Sequence, residues 1–497
     1  MTGMRLDELL RGIATPEAGD IMVSGLTQDS RGVRVGDAFV ALAGAQHHGI
    51  EFAPAAVAKG AAAILSESRV PSPESRVPSP ESRVPSPVVW IDHLRAHLGE
   101  IAARFYGDPS AAMTVAGVTG TSGKTSTVQL LAQAFAQLGK RAATIGTLGA
   151  GLHGALHAGE RTTPDVIRVH GLMAEFRDAG ATHVAMEVSS HALDQHRVDG
   201  VHFDVAVFTN LTRDHLDYHG TMEAYGAAKA KLFAWPDLRA AIVNVDDAFG
   251  RELAAHISGD TQLLSCGVDS IDADIRARNV QTHDDGIDFE LATPWGTAAV
   301  HSRLLGRFNV ANLLAVAGVL GALDAPFEQI VVALQALEPI NGRMNRLGGG
   351  AAPLVVVDYS HKPDALEQVL TALRAHCSGK LVCVFGCGGE RDAGKRPLMG
   401  AIAEKLADAV VVTDDNPRGE DGDAIVRQIV DGMAHPERVR VERDRRRAIA
   451  VAIGNARAGD VVLIAGKGHE TYQEVAGTKR PFDDMQVARA TLEACPC

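Results

Sequence analysis

From Met113 onward, short apolar runs alternate with turns and amphipathic stretches: MTVAGV, THVAMEV, FDVAVF and AAIVNV. These runs are rich in Val and Ala with little polar alternation, the pattern of strands buried on both faces of a parallel sheet. After the first run the apolar period lengthens to three or four residues, which predicts a helix from about Lys124 to Leu138. A second series, APLVVVDY, LVCVFGCG, AVVVTDD and DVVLIAG, follows ALEPINGRMNRL and predicts a separate, smaller doubly wound domain. Ahead of Met113, AAAIL (61–65) and VVWI (88–91) read as neighbouring strands of a third unit. Between them ESRVPSP stands three times in tandem from Glu67 to Pro87, and its six prolines exclude a helix or a central strand. The expected fold class is α/β in three domains, 1–111, 112–345 and 346–497. The central one reads as a parallel-sheet core of the nucleotide-binding type, and the last as a smaller doubly wound domain.

The length agrees, since 497 residues at roughly 150 per domain also give about three. A hydrophobic share of 46% with 22% charged residues excludes disorder for most of the chain. With 61 Asp and Glu against 48 Lys and Arg, a general nucleic-acid or anionic-membrane surface is excluded, so any anionic ligand must be met by local cations and backbone amides. No apolar run approaches the ~18 residues of a membrane span, and MTGMRLDELLRGIA lacks the basic head and apolar stretch of a signal peptide. A cytoplasmic protein without membrane insertion is expected, acting as a monomer. Six cysteines are too few and scattered for a disulfide scaffold. Cys383 and Cys387 lack a second ligand pair at zinc spacing and read as core or loop thiols; Cys495 and Cys497 suggest nothing definite.

TVAGVTGTSGKTSTVQLL carries the clearest chemistry. Gly120, Thr121, Ser122, Gly123, Lys124, Thr125 and Ser126 lie between a predicted strand and helix, where glycines let backbone amides wrap a polyphosphate. Lys124 adds a cation and Thr125 a hydroxyl for magnesium. Val118 stands where the longer G-x4-GK[ST] form has its first glycine, so the motif is the shorter T-G-T-x-G-K-T. THVAMEV ends in Glu187, at the carboxyl edge of the predicted sheet where ligands sit. Glu187 is therefore a candidate to share magnesium with Thr125. His215, in LTRDHLDYHG, is a candidate for a second cation or for the transferred phosphoryl group.

The segments TGTSGKTST, EVSSHALDQHRVDG, NLTRDHLDYHG, AYGAAKAKLF, GRFNVANLLAV, NGRM, VDYSHKPDAL, FGCGGERDAGKRPLMG, DDNPRGED and IAGKGHETYQ together resemble the Mur ligase family. The resemblance implies an N-terminal domain for a uridine nucleotide, a central parallel-sheet ATPase domain of P-loop type and a C-terminal Rossmann-like domain for an incoming amino acid. It implies ATP and Mg2+, and small-molecule substrates: UDP-N-acetylmuramoyl-L-alanyl-D-glutamate and meso-diaminopimelate, joined through an acyl phosphate. On the same ground Gln28 and Ser30 of QDSR, with Ala45, Gln46 and His47, are expected beside the uridine diphosphate. Thr162, Thr163, Ser189, Gln195 and Arg197 are expected at the muramoyl dipeptide. Lys229 is expected as a carbamylated lysine that joins Thr125, Glu187 and His215 as a metal ligand, with Lys231 the fallback. Lys124, His215 and Lys229 form the implied catalytic set, and Asn309, Arg343 and Asp358 the further ATP contacts. The resemblance assigns Asp415, Asn416, Pro417 and Arg418 of DNPR to the amino acid, with Arg391, Gly466 and Glu470. The far end of diaminopimelate carries a carboxylate that a guanidinium can hold bidentately. Two other readings stay open: a folylpolyglutamate synthase, against which DNPR and the QDSR domain count, and an ATP-driven switch that would need neither substrate.

Overall fold

The computed structural model describes residues 3–44, 47–67, 87–159, 161–257, 259–283 and 285–494. Ala45, Gln46, Cys495, Cys497 and all but the ends of the ESRVPSP repeat lie outside the described residues. The chain forms two compact units, Met1–Val128 with Gly139–Ala241 and Glu252–Leu263, and Gln129–Leu138 with Ile242–Arg251 and Leu264–Cys497.

In the first unit, strands Gly25–Thr27, Asp37–Ala41, Ala63–Glu67 and Val88–Ile91 form a parallel sheet in that order. Ile64 is in register with Val88, so the two runs flanking the proline repeat are hydrogen-bonded neighbours, as their pattern predicts. Both faces of this sheet are covered. Ala38, Val40 and Leu65 join the cluster under helix Leu94–Phe105, and Phe39, Ala41 and Ile64 pack the other side with Ile50 and Ala53. Strands Ala142–Gly146, His183–Glu187, Thr114–Thr119 and Val205–Phe208 are parallel neighbours in that order. All four are fully or nearly fully buried, which accounts for their unbroken apolar sequence. The helix predicted after the first of them runs over Lys124–Gln137. Within this unit helix Leu94–Phe105 approaches the chain closely at Gly99, where a Cβ would lie 2.4 Å from Asp199 O.

The second unit contains an antiparallel meander, Ile275–His283, Gly286–Thr293 and Gly296–Ser302, which the apolar pattern did not announce. Its strands mix buried and solvated positions, and IRARNVQTH offers no apolar run. The meander packs beside helix Arg307–Ala322, which is buried almost all round. The C-terminal sheet has the order Asn345–Gly348, Leu354–Asp358, Val461–Ala465, Leu381–Phe385, Ala409–Val412, Arg440–Val441, parallel except for the first strand. Helices cover both faces over separate apolar clusters, the doubly wound arrangement expected from the second apolar series. Cys383 and Cys387 are buried there as free thiols, and burial pushes both up to about 12. They are packing residues, inert at neutral pH. No helix among the described residues is long and apolar enough to cross a membrane.

Candidate active site

Strand Thr114–Thr119 delivers the chain into the loop Gly120–Gly123 and then into helix Lys124–Gln137, so free amides of the first helical turn face the loop. The loop is braced from the neighbouring strand end. Thr121 N donates to Asn210 O at 2.8 Å, Ser122 N to Asn210 Oδ1 at 2.9 Å, and Thr209 Oγ1 to Ser122 O at 2.7 Å. Gly120 has φ +149°, and a Cβ there would sit 1.9 Å from Thr209 Oγ1. Gly120→Ala must therefore either strain the loop or displace Thr209 from Ser122, at a cost of about 1–3 kcal/mol. The expected result is at least about a tenfold weaker apparent affinity for ATP in initial-rate measurements. An unchanged value would show that the loop geometry is not used in nucleotide binding.

Two lysines converge on this loop. Lys124 Nζ donates to Gly120 O and Thr121 O, both at 2.8 Å, and Lys229 Nζ donates to Gly120 O at 2.8 Å. Lys229, on helix Met222–Ala230, is 1% exposed and lies 4.3 Å from the Tyr225 ring centroid. Burial, reinforced by the charge of Lys124, pushes its amine down to about 6, so most of it is neutral at pH 7. Lys231 instead forms a surface ion pair with Asp194 at 3.0 Å. Of the two candidates, only Lys229 reaches the phosphate loop.

Glu187 ends strand His183–Glu187 opposite Val118 and is 1% exposed. Its carboxylate accepts from Thr147 N at 2.7 Å and Thr147 Oγ1 at 3.2 Å, and Thr147 Oγ1 lies 3.1 Å from Thr162 Oγ1. Thr147 carries no motif of its own, and only the neighbouring strand end could have announced it. Thr163 Oγ1 donates to Glu187 O at 2.8 Å and meets Ser189, whose hydroxyl caps the short helix Ser190–Asp194. Arg197 donates to Thr163 O at 3.0 Å and to Gln195 Oε1 at 2.5 Å. Thr162, Thr163, Glu187, Ser189, Gln195 and Arg197 thus form one connected network. His215 is half-exposed, 4.9 Å from the His191 ring and 6.1 Å from Tyr225. Among the described residues no three His, Cys, Asp or Glu side chains converge as a metal cluster. Gln28 and Ser30 follow strand Gly25–Thr27, and His47 pairs with Glu51 at 3.2 Å.

In the second unit the parallel strands end in register, Asp358 beside Ala465 and Phe385 beside Val412. The loops that follow meet at the carboxyl edge of the sheet, the usual ligand position in such folds. Asp358 accepts from Met344 N and Ser360 N, each at 2.8 Å, and from Ser360 Oγ at 2.5 Å. Arg343 lies over the Tyr359 ring at 4.9 Å, and its buried Nε meets no hydrogen-bonding partner among the described residues. Asn309 is buried, with both side-chain groups engaged by Leu305 O and Asn312. Its side chain bridges a residue ahead of the helix and the next turn within it.

The DNPR segment lies against the glycines of FGCGG. Gly389 N donates to Asn416 O at 2.9 Å, and a Cβ at Gly389 would fall 1.9 Å from Pro417 O, so only glycine fits. A Cβ at Gly388 would be 2.9 Å from Arg418 Nη1 and 3.8 Å from Arg391 Cγ, which brings the two guanidinium-bearing side chains to the same loop. Arg418 donates to Gly389 O at 2.7 Å, while Arg391 is exposed. Asp415 is buried against Gly466, and burial pushes its carboxyl upward. Asn416 donates to Glu470 Oε2 at 2.9 Å. Burial opposes ionisation of Glu470, but Lys467 and the Asn416 amide outweigh it and hold the carboxyl below its usual value. Lys467, fully buried between Asn416 and Glu470, was not singled out from the sequence.

Three family profiles match the chain: "Mur ligase family, catalytic domain" over residues 22–106, "Mur ligase middle domain" over 118–320 and "Mur ligase, glutamate ligase domain" over 342–468. A relative from Xylella fastidiosa, "UDP-N-acetylmuramoyl-L-alanyl-D-glutamate--2,6-diaminopimelate ligase", is 57% identical over 99% of this chain and 98% of its own length. A protein of the same name from Pseudomonas aeruginosa is 52% identical over 96% of each chain. A solved structure of a ligase of this name matches at 36% identity and TM-score 0.75, covering 99% of both chains. The MurF ligase from Thermotoga maritima in complex with ADP, at 20% identity and TM-score 0.61 over 95% of this chain and 97% of its own, shares the fold.

Proposed function

Because the chain belongs to the Mur ligase family, we propose that it is the ATP-dependent ligase that joins meso-2,6-diaminopimelate to the D-Glu of UDP-N-acetylmuramoyl-L-alanyl-D-glutamate, a step of peptidoglycan precursor synthesis. The observation that carries this reading is the braced phosphate loop Gly120–Lys124 in a chain that also sets Arg418 and Arg391 at one loop beside Gly388. Full-length identity of 57% to a diaminopimelate ligase supports it. The order of the three profile matches along the chain supports a division into nucleotide-substrate, ATPase and amino-acid domains.

In this reading the loop amides and Lys124 hold the ATP phosphates, and the D-Glu side-chain carboxylate attacks the terminal phosphorus to give an acyl phosphate and ADP. The amine of diaminopimelate then attacks the acyl carbon, expelling phosphate as the amide forms and the amine loses its proton. No protein nucleophile is required; catalysis comes from positioning and from neutralising phosphate charge. Magnesium fits the donor set, since Glu187 offers a buried carboxylate and Thr125 a buried hydroxyl, and such a site is completed by phosphate oxygens and water. When bound, the ion supplies charge neutralisation at the phosphates. Lys229 as an amine is a poor ligand for it, but a neutral, buried amine can take up carbon dioxide, and the carbamate is an oxygen donor. His215, its ring 6.1 Å from that of Tyr225 over which Lys229 lies, is the candidate for the transferred phosphoryl group. Thr162, Thr163, Ser189, Gln195 and Arg197 hold the dipeptide, Gln28, Ser30 and His47 the uridine end, and Arg343 and Asp358 the nucleotide. In the amino-acid site Arg391 and Arg418 hold the distal carboxylate, with Gly466 and Glu470 at the amino end.

Phosphate release tests the reading directly. With ATP, magnesium and the nucleotide dipeptide, release is expected with meso-diaminopimelate and at least about tenfold more slowly with L-lysine, which leaves the guanidinium of Arg418 without its carboxylate. Faster release with L-lysine would keep the family and overturn the specificity, and release that needs no amino acid would overturn the ligase.

A further inference from the structure

Behind the proposed amino-acid grip lies a closed ring of buried hydrogen bonds that the reaction as described does not use. Lys467 is 0% exposed. Its Nζ donates to Asn416 Oδ1 at 3.0 Å and to Glu470 Oε2 at 2.9 Å, while Asn416 Nδ2 donates to the same Glu470 oxygen at 2.9 Å. Asn416 Oδ1 accepts a further bond from Glu474 N at 3.0 Å. The two acceptors belong to loops that follow different strands, Ala409–Val412 and Val461–Ala465. Lys467 is the donor that bridges Asn416 Oδ1 and Glu470 Oε2, two acceptors that would otherwise face each other, and so it holds the Glu470 carboxylate in place from a second side. The ring leaves one polar atom open: Glu470 Oε1 meets no hydrogen-bonding group among the described residues.

A buried lysine is costly to desolvate, and an apolar side chain of similar volume often serves stability as well. Its presence here is better accounted for by what it orients. We propose that Lys467 is a positioning residue for amino-acid selection: it fixes the charge and rotamer of Glu470 so that Oε1 faces the ammonium group of the incoming diamino acid. The proposal rests on the reading of Glu470 as an amino-acid contact.

The test compares Michaelis constants for three substrates in Lys467→Met, Lys467→Arg, Glu470→Gln and the double variant Lys467→Met/Glu470→Gln. Lys467→Met is expected to raise KM for meso-diaminopimelate at least about tenfold, leaving KM for ATP and for the nucleotide dipeptide within about twofold. Lys467→Arg, which keeps a cationic donor, should recover part of the loss. Because Lys467 acts through Glu470, the double variant should lie within about twofold of Glu470→Gln alone. That variant removes the charge at both ends of the pair and so leaves no isolated buried ion. It therefore carries the test even if Lys467→Met does not fold. Equal rises in all three Michaelis constants, or a further tenfold rise in the double variant over Glu470→Gln, would overturn the proposal. Loss in Glu470→Gln with none in Lys467→Met would overturn it while leaving the amino-acid site intact. An unchanged KM in Glu470→Gln would instead remove the underlying reading of Glu470.

Discussion

Lys229→Ala is expected to lose about 100-fold or more in kcat, the usual scale for removing one preorganised charge-stabilising group, and to regain part of it with added short-chain carboxylic acids. The rescue is specific to the proposed chemistry. A carboxylate diffusing into the space left by the side chain replaces the oxygen donor of a carbamate, whereas it has no means of replacing an ammonium. The structure separates this lysine from its neighbour two residues on. Lys229 is buried on Gly120 O, while Lys231 pairs with Asp194 in solvent, their side chains 47% and 41% exposed. Exposed pairs of that kind contribute about 0–1 kcal/mol, so Lys231→Ala should keep activity within about twofold. Burial also gives the unmodified amine a signature. With its folded-state pKa near 6 against ~10.4 in the unfolded chain, the unfolded state binds one more proton across that window. Unmodified protein therefore becomes less stable as pH falls from about 10 toward 6. Full activity of Lys229→Ala, or a loss that no carboxylic acid relieves, would refute the carbamate.

The largest expected effect on stability lies in the C-terminal sheet. Arg445 and Asp484 are both 0% exposed and joined bidentately, Nε to Oδ1 at 2.8 Å and Nη2 to Oδ2 at 2.7 Å. Nη2 also donates to Ala465 O at 3.1 Å, at the end of the strand that leads to Gly466. Asp484→Ala leaves the guanidinium buried without its counter-charge, and about 3–5 kcal/mol should be lost, read as a lower urea midpoint for the C-terminal unit. Arg445→Met/Asp484→Leu removes both charges and should recover most of the loss. A change below about 1 kcal/mol in Asp484→Ala would mean that water or a neighbour replaces the carboxylate.

What the sequence disclosed follows from how local each signal is. The phosphate loop, Glu187 and DNPR sit directly after strands, where a short motif and its structural setting coincide. Lys229 was legible because AYGAAKAKLF fixes a register, although the choice over Lys231 needed burial to decide it. Lys467 was hidden in plain view: a lysine between two glycines reads as a solvated cation, and its burial depends on a loop 51 residues away. Arg445 lay in the same blind spot, since RDRRR looks like a charged surface run, yet one of its arginines is among the largest fully buried side chains. Thr147 had no motif, and Asn309, a contact residue by the family resemblance alone, has its amide engaged by Leu305 O and Asn312.

Strands Ala63–Glu67 and Val88–Ile91 are adjacent and parallel, with a register fixed by their own hydrogen bonds, and the ESRVPSP repeats stand between them. Each unit is seven codons, so slippage of the copying machinery by one unit preserves the reading frame and changes only the length of this connection. By loop-closure entropy alone, going from about 20 to 13 residues changes the cost by only ~0.4 kcal/mol. A change of one copy is therefore expected to cost little in folding, and the connection between these two strands is a place to graft an epitope.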